Sequence, residues 1–207
     1  MKLQLALDRL SRNECFSLME QVEKQMDWIE MGTGVIKEYG MQIVRDMKEA
    51  YPEKTIVADM KTCDAAASET RQALDAGADI TTVMAFSADA AITAALEEAS
   101  VSDKKVMVDL LGVNDSRRLS ELDGLGADLV SLHIGKDMQT EGGVSGEHFS
   151  VLQDYSHWDV AVAGGINEKT IPDLLPYRPD VFIIGGAITK ADQPGEAAEN
   201  IKRLVKE

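Results

Sequence analysis

The chain has 207 residues, 44% of them hydrophobic, which is enough for one sizeable core and too apolar for a disordered segment. Its 36 acidic side chains outnumber 21 basic ones, for a net charge of −15, which excludes a general nucleic-acid binder because phosphates require a basic face. No apolar run approaches the roughly 18–20 residues that span a bilayer. A small phosphorylated ligand remains compatible with this charge, because a local pocket can oppose the global field. Cys15 and Cys63 form neither a disulfide framework nor a CxxC ligand motif, so both read as reduced thiols.

Taken in order, the chain opens on Met1–Asp8, which resembles a short signal core. Asp8 and Arg9 interrupt it too early and no small-residue cleavage pattern follows, so it reads as a first strand of a cytoplasmic protein. Apolar β-type runs then recur: 3–7, 28–31, 56–58, 80–84, 106–108, 129–132, 160–163 and 181–184. Their starts lie roughly 20–30 residues apart, the size of one βα unit. Helical patterns fill the gaps: 13–25, 35–50, 65–76 ending at Gly77, 87–99 with Ser87 as cap, 115–122, 167–174 capped by Asn167, and 193–205. Three connectors share a form, Gly-Ala-Asp79, Gly-Ala-Asp128 and Pro-Asp180, with the Asp just before a strand. Regular alternation predicts a parallel sheet with helices outside. Eight units predict a closed (β/α)8 barrel, one domain over residues 1–207. An open doubly wound sheet is the alternative, but it carries phosphate glycines after its first strand, where this chain has Asp8-Arg9-Leu10.

In a barrel every strand ends on the same rim, so strand ends are read together. They are Asp8, Glu30, the run Asp59-Met-Lys61-Thr-Cys-Asp64, Asp109, His133, Gly164-Gly165 and Gly185-Gly186. One charge cluster alone reads as well as a solvated surface turn. Polar groups at the ends of several apolar strands instead converge on one mouth, where burial without a partner is costly. Two glycine pairs on the last two strands predict a phosphate site, since backbone amides there can approach an anion. Glu30 and Asp59 are oxygen donors of the kind Mg²⁺ takes in ones and twos; the competing reading pairs Glu30 with Lys61. Lys61 can stabilise an oxyanion, and a histidine such as His133 titrates near neutral pH and can move a proton. Asp109 reads as a structural rim residue. Cys63 has no basic partner to activate it, and His148 and His157 fall in helix or loop.

The strings Leu5-Ala-Leu-Asp8, Glu30-Met-Gly-Thr33, Ala58-Asp-Met-Lys-Thr-Cys-Asp64, Val108-Asp109, His133, Ala163-Gly-Gly-Ile166 and Ile184-Gly-Gly186 resemble the 3-hexulose-6-phosphate synthases. These belong to the orotidine 5′-phosphate decarboxylase suprafamily, with the 3-keto-L-gulonate-6-phosphate decarboxylases as close sisters. The resemblance spans essentially the whole chain. It implies a homodimer of barrels in which Asp64 reaches into the neighbouring subunit's site. It implies Mg²⁺ on Glu30 and Asp59, with Asp8 and Lys61 beside it, and Thr33 and Lys136 among the substrate-binding residues. Both sister reactions pass through an enediolate of a sugar phosphate: the synthase adds formaldehyde to ribulose 5-phosphate, the decarboxylase loses CO₂.

The sisters differ in the strand-six loop. Decarboxylases resemble His-Arg-x-Arg there, whereas His133-Ile-Gly-Lys136-Asp-Met-Gln139 resembles the synthases, as does Met60 between Asp59 and Lys61. Lys136 keeps the charge of the decarboxylases' second arginine, so the decarboxylase remains the alternative. A non-catalytic sugar-phosphate-binding barrel is a further reading, disfavoured by the acid/base set, and a phosphate-handling isomerase or epimerase is another, disfavoured by the Asp59-x-Lys61-x-x-Asp64 run.

Overall fold

The computed structural model describes residues 1–140 and 142–206. Eight parallel strands close into a barrel in sequence order, β8 returning to pair with β1. They are β1 (Lys2–Leu7), β2 (Trp28–Met31), β3 (Thr55–Thr62), β4 (Ile80–Met84), β5 (Lys105–Asp109), β6 (Leu129–His133), β7 (Asp159–Ala163) and β8 (Val181–Ile184). Residues alternate across each strand. Leu3, Leu5 and Leu7 face the helices, while Val57, Ile80, Met107, Leu129, Ala161 and Val181 fill the interior. Both sides are apolar, which is why the strands are continuous hydrophobic runs.

The helices are α1 (Arg12–Val22), α2 (Thr33–Tyr39), α3 (Gln42–Ala50), α4 (Ala66–Asp75), α5 (Asp89–Val101), α6 (Ser116–Gly124), α7 (Ile171–Leu174), α8 (Gly186–Thr189) and α9 (Pro194–Lys206). A capping box starts α1: the Ser11 hydroxyl accepts from Glu14 N at 3.3 Å and the Glu14 carboxylate accepts from Ser11 N at 2.7 Å. The predicted helix over 35–50 is broken in two at Gly40, whose φ of +64° leaves the helical region. Ser87 does not cap α5; its hydroxyl points to Thr62 O at 3.5 Å and the helix starts two residues later. The predicted helix after β7 shrinks to α7, because the Asn167 side chain closes a local turn by accepting from Lys169 N at 2.9 Å. Among the described residues, β6 is followed by two 3-10 turns, Lys136–Met138 and Gly146–Leu152, rather than an α-helix.

Two of the three shared connectors, those at Asp79 and Asp180, have a physical cause that Asp27 shares, whereas Asp128 is exposed and its carboxylate meets only Lys105 Nζ, at 3.3 Å, among the described residues. Asp27, Asp79 and Asp180, each just before an even strand, accept the amides of Leu3, Ile56 and Val160 on the preceding odd strand at 2.8, 2.9 and 2.8 Å. These aspartates give strand-edge donors a partner at the N-terminal rim. Lys48 and Lys104 hold Asp79 at 2.9 and 2.6 Å, and Lys202 holds Asp27 at 2.6 Å. No helix among the described residues is long and apolar enough to cross a membrane.

Candidate active site

At the C-terminal rim the strand ends enclose a cavity of about 910 Å³. Asp8, Glu30, Thr33, Asp59, Lys61, His133, Lys136 and all four glycines of the two pairs line it. Asp64 does not: it is exposed and stands outside this cavity. One chain thus brings together every predicted site residue except the one the resemblance assigns to a neighbouring subunit.

Its centre is built by β3. That strand is longer than the apolar run predicts, and its register against β4 shifts between Ala58 and Thr62. Lys61 sits in this irregularity with φ of +48°, a conformation costing about 1 kcal/mol or more for a side-chain-bearing residue. Its amide donates to Thr82 Oγ1 at 2.9 Å, which fixes the kink. Lys61 Nζ then bridges Asp59 Oδ1 at 3.1 Å and Asp109 Oδ2 at 2.8 Å. It pairs with these two and not with Glu30, against the competing sequence reading. Asp59 also accepts from Thr33 Oγ1 at 2.7 Å and Thr82 Oγ1 at 2.9 Å.

Asp109 is the largest correction to the sequence reading. It is 2% exposed and central rather than a rim residue. Its carboxylate accepts from Lys61, from Leu111 N at 3.0 Å, and lies 3.0 and 3.1 Å from His133 Nδ1. Burial pushes Asp109 up, but His133 and Lys61 outweigh it and hold the carboxyl down at about 2. An ionised carboxylate only accepts, so the neutral form of the His133 ring carries its proton on Nδ1, leaving Nε2 as an acceptor with no partner among the described residues. Burial works against the charge of Lys61, but Asp59 and Asp109 raise its pKa above that of an ordinary lysine. Lys61 is therefore a fixed cation and not a base.

Glu30, on β2, is buried. Burial first, and the charge of Asp59 second, push it up to about 8. Its neighbour below is Gln4, whose Nε2 donates to Glu30 Oε2 at 2.5 Å. Asp8 closes the β1 side, accepting from Gly34 N at 2.8 Å, with Arg9 at 3.2 Å. A Cβ on Gly32 would stand 2.6 Å from Asp8 Cβ, so this approach requires glycine.

The glycine pairs differ. Gly164 and Gly165 have φ of +109° and +73°, and a Cβ on Gly164 would lie 2.3 Å from Ile134 O. Backbone conformation and the packed strand-six loop both demand glycine there. Gly185 and Gly186 are open; a Cβ on Gly186 would meet only Lys190 Cδ, at 3.8 Å. Lys190 also lines the cavity, and sequence reasoning passed over it. Gln4 and Thr82 were missed as well, being polar residues inside strands rather than at their ends. Lys136 Nζ donates to Gln139 Oε1 at 3.3 Å within the strand-six loop.

Residues 1–201 match the family model described as Orotidine 5'-phosphate decarboxylase / HUMPS family. The chain is 40% identical over 207 residues to 3-hexulose-6-phosphate synthase of Bacillus subtilis (strain 168), covering 99% of both chains. It superposes on the crystal structure of 3-hexulose-6-phosphate synthase from Salmonella typhimurium with a TM-score of 0.96 at 35% identity, covering 100% of this chain and 99% of that one. A crystal structure of KGPDC from Streptococcus mutans gives a TM-score of 0.92 at 26% identity, over 99% of this chain and 97% of that one.

Proposed function

Because the chain belongs to the orotidine 5′-phosphate decarboxylase / HUMPS family, we propose that it is a Mg²⁺-dependent 3-hexulose-6-phosphate synthase, a carbon–carbon lyase joining formaldehyde to ribulose 5-phosphate. The observation that carries this reading is the chain of contacts from Asp59 through Lys61 and Asp109 to His133. It sets a permanent cation beside a histidine whose Nε2 has no partner among the described residues.

Ribulose 5-phosphate has an acidic C1–H beside its C2 carbonyl. His133 Nε2 removes that proton, and Asp109 stabilises the imidazolium through Nδ1. The electron pair moves to the carbonyl oxygen, giving a 1,2-enediolate whose negative charge Lys61 stabilises. C1 then attacks formaldehyde, forming the new carbon–carbon bond, and the resulting alkoxide takes a proton back, with His133 its nearest source in this scheme. The phosphate sits on the backbone amides of Gly165, Gly185 and Gly186, with Lys190 alongside.

Glu30 and Asp59 fit a divalent metal ion. Both offer oxygen, and Glu30 is buried with no cationic partner among the described residues, the ammonium of Lys61 being taken by Asp59 and Asp109. Among the described residues no group of three or more His, Cys, Asp or Glu is arranged for a metal. Two carboxylates completed by water and substrate oxygens are what Mg²⁺ accepts. When bound, the ion would polarise the substrate carbonyl as a Lewis acid.

In this reading the active unit is a cytoplasmic homodimer, with Asp64 entering the partner's cavity to assist proton transfer. Incubation with Mg²⁺, ribulose 5-phosphate and formaldehyde tests it: formaldehyde is consumed, and its persistence defeats the synthase. Lys136, a cation on the strand-six side of the cavity, keeps the sister reaction as second reading. CO₂ released faster from 3-keto-L-gulonate 6-phosphate than formaldehyde is consumed would favour that sister.

A further inference from the structure

One buried polar group near the site is left incomplete. Gln4 is 1% exposed, and its Oε1 is the buried side-chain atom with no hydrogen-bond partner among the described residues. The inward positions equivalent to Gln4 on the other odd strands are Val57, Met107 and Ala161, all apolar members of the barrel interior. An apolar side chain would fill this position, and a buried unsatisfied amide costs stability. The cost is incurred at the floor of the cavity, which Gln4 lines, and against one residue, since Nε2 donates to Glu30 Oε2 at 2.5 Å.

We propose that Gln4 is a positioning residue for the cation site: it ties down one oxygen of Glu30, aims the other at the ion, and keeps its own Oε1 as acceptor for water carried in with that ion. The inference rests on the cation reading given above. Glu30 has no second side-chain donor among the described residues, whereas Asp59 is held by Thr33, Thr82 and Lys61. Without Gln4, the Glu30 carboxylate loses the bond that orients it. Partners of this kind tune metal affinity although they do not touch the metal.

The test is Mn²⁺ binding, followed by electron paramagnetic resonance of the free ion, on the full-length protein without substrate. Gln4→Met and Gln4→Leu both suit the apolar surroundings. Each is expected to weaken Mn²⁺ binding by at least about tenfold. A purely structural Gln4 leaves the affinity unchanged, whatever happens to the melting temperature, and that result overturns the proposal. Wild-type protein that binds no Mn²⁺ would overturn the cation reading itself, and the proposal with it.

Discussion

At the N-terminal rim Asp27, Asp79 and Asp180 each accept a strand amide, and lysines close around the first two. At the C-terminal rim Asp59 and Asp109 share the single ammonium of Lys61, and Glu30 is left raised and buried beside them. The residue types are the same and the outcomes differ. Below, three aspartates find local partners and the carboxyls of Asp27 and Asp79 are lowered, burial being outweighed by lysine and amide bonds. Above, groups from β2, β3, β5 and β6 converge on a cavity and leave an acceptor, His133 Nε2, unused among the described residues. A smaller cavity of about 420 Å³ below, between Met1, Lys2, Trp28 and Arg178, has no such convergence; Lys2 simply lies over the Trp28 ring at 4.9 Å. Stability resides at one end and chemistry at the other, as barrels generally arrange them.

Substitutions break this contrast in a graded way. The largest effect is expected for Lys61→Met, which removes the fixed cation: kcat for formaldehyde consumption should fall by about 10³-fold or more. Asp109→Asn comes next. An amide can donate to His133 Nδ1 and shift the ring proton to Nε2, so kcat should fall roughly 10²-fold or more with substrate affinity changed much less. Steady-state kinetics separates these losses. Asp79→Asn sharpens the contrast from below, weakening contacts to Ile56 N, Lys48 and Lys104. It should cost about 1–3 kcal/mol in denaturant unfolding and leave kcat within about twofold.

The smallest effects lie in pH. Asp109 is held at about 2 against an ordinary 3.8, so its contribution to stability is present above 3.8 and is lost as pH falls towards 2. Glu30 has the opposite sign. Its pKa is raised from 4.5 to about 8, so its contribution is present below 4.5 and is lost as pH rises through 8. In protein stripped of divalent ions, melting temperature should therefore carry a downward component between these values, which Glu30→Gln should remove. An unchanged slope in that variant would place the charge imbalance elsewhere.

The barrel was legible because all eight strands carry apolar runs and turn residues separate them. The helices were less so. Gly40 looks tolerable inside a helical pattern, and only its positive φ shows the break. At the site, a strand-end position sufficed for Glu30, Asp59, Lys61 and His133. Asp109 had the same position, but a lone carboxylate becomes meaningful only when Lys61 and His133 arrive from β3 and β6. Gln4 and Thr82 carry no end signal at all, since mid-strand polarity is read as a local exception until the closed barrel supplies its neighbours. The β3 kink that turns Lys61 inward depends on Thr82 of the next strand. Asp64 lies outside the cavity of its own chain, where the structure gives its exposed carboxylate no part in the site.

The central claim is that His133, Asp109 and Lys61 generate an enediolate at C1 of ribulose 5-phosphate. Proton NMR in D₂O, with Mg²⁺ and without formaldehyde, tests this step separately from the identity of the electrophile. One C1 hydrogen should exchange for deuterium at a rate lost in Lys61→Met. Retention of both C1 hydrogens with wild-type protein, under conditions where the sugar phosphate is bound, would contradict the account.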